Sequence, residues 1–96
     1  MSFEEFLQAT TAAEPPAGAG PALRALWHDA RGDWDAAHTA AQAGHDAAGA
    51  WVHAYLHRAE GDEANAGYWY RRAGRPPARG DLRAEWEQIA RALLAG

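Results

Sequence analysis

Ala25-Leu26-Trp27-His28-Asp29-Ala30-Arg31-Gly32-Asp33 returns 29 residues later as Ala54-Tyr55-Leu56-His57-Arg58-Ala59-Glu60-Gly61-Asp62. Alanine, histidine, alanine, glycine and aspartate recur at equivalent places, and Ala37 pairs with Ala66. Each copy reads as a helix, a Gly-Asp turn and a second helix, because glycine ends a helix and aspartate caps the next. A single helix pair cannot bury its apolar face alone, so two copies are expected to share one core.

The same punctuation organises the rest of the chain. Ser2 and Glu5 form a capping-box start for a short helix within residues 1–10. Thr11 to Gly20, with Pro15 and Pro16, reads as a linker. Pro21 suits the first position of a helix that carries Leu23, Leu26, Trp27 and Ala30 at helical spacing. A first hairpin is therefore expected over 21–44, with Asp33 capping its second helix, and a second hairpin over 46–77, with Asp46 and Asp62 as caps. After the Gly74–Gly80 loop, Asp81 opens a last amphipathic helix over 81–95 with Leu82, Trp86, Ile89 and Leu93. β-Branched residues are nearly absent and no segment alternates apolar and polar residues. The expected fold is all-α: six helices in one domain, a short stack of helical hairpins with a C-terminal capping helix.

At Gly61-Asp62, Ala66, Tyr70, Ala73 and Pro76-Pro77 the sequence resembles the tetratricopeptide and Sel1-like helical repeats. The resemblance covers Pro21 to Pro77, although the period of 29 is shorter than the usual ~34. It implies hairpins stacked side by side, the first helix of each lining a concave face. It also implies a capping last helix whose Arg83, Glu85, Glu87 and Arg91 cover the exposed end. The phrases LWHDARGDW, HAYLHRAEGD and YWYRRAGRP further resemble a family of small uncharacterised microbial proteins, which carries no activity over.

Composition excludes several function classes. The 96 residues include 26 alanines, nine arginines, no lysine and no cysteine, so disulfides, thiolate nucleophiles and Cys-ligated zinc are ruled out. A net charge of −4 argues against a general nucleic-acid binder. No apolar run approaches the ~20 residues of a membrane span. The acidic MSFEEFLQ start is unlike a signal peptide, so a cytoplasmic location is expected. Ser2 is the only serine and no glycine-rich phosphate loop with its lysine occurs, which argues against an enzyme.

Two groups of residues carry the functional expectations. Tyr68-Trp69-Tyr70-Arg71-Arg72 places bulky residues all round one helix, and Tyr68 with Arg72 forms an i,i+4 cation–π pair. With Arg71, Arg75 and Arg79 these residues make a Trp/Tyr/Arg patch of binding-hot-spot composition. The leading expectation is a protein-interaction or scaffold module for a protein or peptide partner, self-association as a homodimer being one version. His28, His57, Tyr68, Trp69, Arg71, Arg72 and Arg75 are its binding residues, and no cofactor is needed. The competing bland reading has the aromatics filling an alanine-rich core and the arginines pairing with Glu60, Glu63 and Asp81.

The alternative is a small-ligand or divalent-metal site. His53 and His57 lie four apart on one helix with Glu60 a turn beyond, a spacing that can chelate zinc. His28, equivalent to His57, is expected to approach it from the neighbouring first helix. The competing reading is that the histidines pack beside the apolar stripe and hydrogen-bond locally. His38 and His45, near helix C-termini, read as structural or solvent-facing.

Overall fold

A computed structural model describes all residues, 1–96. It contains six helices and no strand: α1 (Phe3–Ala9), α2 (Pro21–Ala30), α3 (Trp34–Ala43), α4 (Ala47–Ala59), α5 (Glu63–Ala73) and α6 (Leu82–Ala95). None is long and apolar enough to cross a membrane.

The repeated Gly-Asp step is one piece of backbone chemistry used twice. Gly32 and Gly61 adopt φ of 79° and 90°, the left-handed region that L side chains avoid. Their N–H groups donate to Asp29 O and Arg58 O, while the N–H groups of Asp33 and Asp62 donate to His28 O and His57 O. Those bonds close a Schellman motif, satisfying carbonyls left free at a helix end. The same aspartates then cap the next helix: Asp33 Oδ1 accepts from Ala36 N and Asp62 Oδ1 from Asn65 N. Asp46 and Asp81 cap α4 and α6 alike, each such cap contributing about 1 kcal/mol. One dipeptide thus ends one helix, reverses the chain and starts the next.

The helices on either side of each Gly-Asp turn, α2 with α3 and α4 with α5, pack most closely, and α3 and α2 both lie against α4. The tight α3–α4 junction depends on Gly49, where an added Cβ would run into the Gly44 carbonyl. Helix α4 is the hub, buried continuously from Gly49 to His57. Around it Phe6, Leu26, Val52, Leu56, Tyr70, Trp86 and Ile89 are fully enclosed.

Helix α6 supplies the centre of that core. Trp86 stacks on Phe6 at 5.7 Å, meets Phe3 edge-on, and donates its indole N–H to Leu26 O at 3.0 Å. The expectation that Glu85 covers an exposed end is corrected here: it is only 4% exposed. Its carboxylate accepts from Arg58 at 2.8 Å and from the Tyr70 hydroxyl, because α6 lies against α4 and brings Arg58 within reach. Removing one member of so buried an ion pair would strand the other, which is why the three residues form a unit. The end of α1 and the start of the linker are fastened as well: Trp27 donates to Ala9 O, and Arg31 to Thr10 O and Ala12 O.

Candidate metal centre

Because α4 is enclosed on all sides, its polar flank faces neighbouring helices. His53 and His57, one turn apart and 3% and 8% exposed, look onto α3 and α5. Helix α3 answers with His38, whose Nε2 lies 2.9 Å from His53 Nε2. The His53 and His57 rings stack at 4.9 Å, and His38 meets both edge-on. One ring nitrogen from each of His38, His53 and His57 lies within 4.8 Å of the other two. Two nitrogens bound to one tetrahedral zinc at about 2.0–2.1 Å stand about 3.3 Å apart, a spacing comparable to that of these three rings.

The surroundings fix each ring. Trp69 of α5 stacks on His53 at 3.9 Å, and Trp34 of α3 stacks on His38 at 4.8 Å. Trp34 is itself pinned by its indole N–H, which donates to Leu56 O at 2.9 Å. His57 Nδ1 lies 2.7 Å from Glu60 Oε1. A proton on Nδ1 held by that carboxylate leaves the Nε2 lone pair for a metal, the carboxylate–histidine arrangement that orients ligands at metal centres.

Burial keeps two of the three rings, His38 and His53, neutral. Burial, with the adjoining His38 and His57, lowers the His53 pKa from 6.5 to about 4. Burial, then His57, lowers that of His38 too. At neutral pH both rings are uncharged, one Nε2–H donating to the other's lone pair, and neutral imidazole is the form that ligates metals. Folded His53 therefore binds fewer protons than the unfolded chain between its two values. Its contribution to stability is complete above pH 6.5 and is lost as pH falls towards 4. Urea midpoints measured without metal should fall across that window, and His53→Gln should flatten the slope.

The structure rearranges the expected site. His53 and His57 share a flank as their spacing requires, but His38, not His28, completes the group. His28 packs edge-on against Trp27 and lines a separate cleft with Arg24, Asp33 and Asp35. The physical reason is that the histidine flank of α4 faces α3 and α5 rather than α2. The clue in the sequence was Trp34 and His38, an i,i+4 aromatic pair on one flank of α3. Glu60, expected as a ligand beside His53 and His57, lies against His57 Nδ1 rather than among the three imidazoles. A second grouping of His57, Glu60 and Asp62 exists, but Asp62 is occupied by the backbone N–H and side-chain amide of Asn65.

The aromatic patch is largely consumed internally. Trp27, Trp51 and Trp86 are buried, and Trp34 and Trp69 flank the histidines. Tyr68 remains 44% exposed, with the Arg72 guanidinium 5.8 Å from its ring and 5.4 Å from that of Trp69. Arg75 stacks over Trp51 at 3.7 Å, and Arg71 is exposed. The ion pairs are His57–Glu60, Arg58–Glu85 and Arg91–Glu87, so the patch arginines do not pair with Glu60, Glu63 or Asp81.

Beside the centre, a cleft of about 390 Å³ opens between the α3–α4 junction and α5. His53, Trp69, Gln42, His45, Asp46 and Arg72 are among the residues that line it. No protein family, curated protein or solved structure matches this chain.

Proposed function

We propose that the protein binds one divalent transition-metal ion, of the zinc type, through His38, His53 and His57. The observation that carries this reading is the convergence of three imidazoles with their ring nitrogens within 4.8 Å. The Glu60 carboxylate on His57 and the indoles on His38 and His53 support it, since they hold the rings as a ligand set requires. Zinc, cobalt, nickel and copper all accept imidazole, and three nitrogen donors leave a further position for water or a ligand.

Calorimetric titration of zinc into chelator-treated protein at pH 7.4 tests this directly. A saturable 1:1 isotherm is expected, and Glu60→Gln should weaken it about 10- to 100-fold, the usual cost of losing an orienting carboxylate. Absence of saturable binding by the wild-type protein would overturn the proposal.

A second reading, an interaction module within a tetratricopeptide-like stack, draws on the two hairpins joined by the same Gly-Asp turn and on exposed Tyr68 beside Arg72. It has less behind it, because Trp69 and Arg75 already have internal stacking partners.

A further inference from the structure

We infer that the ion at this centre is served by a small organic carboxylate, entering through the cleft and held by Arg72. The inference rests on the metal-binding reading and extends it to the class of ligand. Four observations meet at this place. His53 belongs both to the imidazole group and to the cleft wall, so the cleft leads to a ligating residue. Three imidazoles leave a tetrahedral ion one open position. The cleft volume of about 390 Å³ falls in the range of small-molecule sites.

The fourth observation is Arg72. Its guanidinium is within ion-pair distance of no carboxylate, and it is steadied over the Tyr68 and Trp69 rings with Nη1 donating to the Tyr68 hydroxyl. A guanidinium so placed offers a planar fork that matches the two oxygens of a carboxylate.

The remaining walls choose among anions. Asp46 also borders the cleft, its Oδ1 engaged by Gly49 N at the start of α4. That carboxylate opposes a dianion such as phosphate more strongly than a monoanion, which Arg72 alone can balance. Trp69, Ala47 and Ala50 give an apolar surface for an organic tail. A monocarboxylate with an apolar body satisfies all of these walls together.

Cobalt(II) provides the test, because its visible bands report donors entering its coordination sphere. Wild-type protein loaded with one equivalent of cobalt should change its bands on addition of sodium benzoate and saturate, while inorganic phosphate at equal concentration should do so far more weakly. Arg72→Gln should retain cobalt affinity but bind benzoate about 10- to 100-fold more weakly, as expected for loss of a charge-assisted contact. Arg79→Gln, the same charge change outside the cleft, should match wild type. If cobalt binds but benzoate leaves the bands unchanged, if phosphate matches it, or if Arg72→Gln binds it normally, the carboxylate inference is overturned while the metal centre stands. Failure of cobalt itself to bind overturns both.

Discussion

Saturating zinc is expected to raise the melting temperature of the wild-type protein by about 10–20 °C and that of His38→Ala scarcely at all. An ion at 100 times its dissociation constant stabilises the native state by about 2.7 kcal/mol. In a domain of this size each kcal/mol moves the midpoint by about 4–8 °C. Deleting His38 leaves two imidazoles, and the affinity should drop at least about 100-fold, beyond the effect of an orienting partner. His53→Ala should behave in the same way, whereas His28→Ala should keep the full zinc response because that ring belongs to another cleft. Differential scanning fluorimetry with and without zinc reads all of these variants. A wild-type-sized shift in His38→Ala would remove that histidine from the ligand set.

Trp86→Ala should destabilise the apoprotein by about 3–5 kcal/mol, the range for large aromatic truncations in a core. Trp86 is 1% exposed, touches both phenylalanines of α1 and binds the carbonyl of Leu26 in α2. Its loss empties the space between α1, α2 and α6 and removes the indole bond that ties α6 to α2. Total stability for a domain of this length is only about 5–14 kcal/mol, so the variant should be close to unfolding. Trp86→Phe keeps most of the apolar volume and should cost less, with the lost hydrogen bond contributing about 0.5–1.5 kcal/mol because Leu26 O keeps its helical partner. Urea midpoints decide the matter. A loss below about 1 kcal/mol in Trp86→Ala would mean that α6 does not anchor the core.

What was legible in the sequence was what is decided locally. Ser2, Asp33, Asp46, Asp62 and Asp81 cap the helices they were expected to cap, since an N-cap depends on atoms within three residues. The Gly-Asp repeat was visible for the same reason, its bonds being confined to one turn. The Tyr68–Arg72 pair, four apart on one helix, also forms.

What escaped the sequence depends on which flank a helix turns to which neighbour. His38 meets His53 across 15 residues of chain, and nothing in its immediate surroundings distinguishes it from a solvated histidine except Trp34 one turn earlier. His28 and His57 are equivalent in the repeat, yet only His57 meets His38; His28 lies in a cleft on another flank of α3, with Asp35 and Ala36. Glu85 reads as a surface charge on an amphipathic helix until Arg58, 27 residues earlier, is brought against it. Two of the three clustered imidazoles were therefore visible, His53 and His57 on α4, and the one contributed by α3 was not.

The central claim is that His38, His53 and His57 enclose one ion. Crystals grown with one equivalent of zinc, with diffraction recorded on both sides of the zinc absorption edge, test it most directly. A single anomalous peak is expected among the three imidazoles, about 2.0–2.1 Å from one nitrogen of each. A peak elsewhere, at the His28 cleft for example, or three imidazoles still hydrogen-bonded to one another with no peak between them, would contradict it.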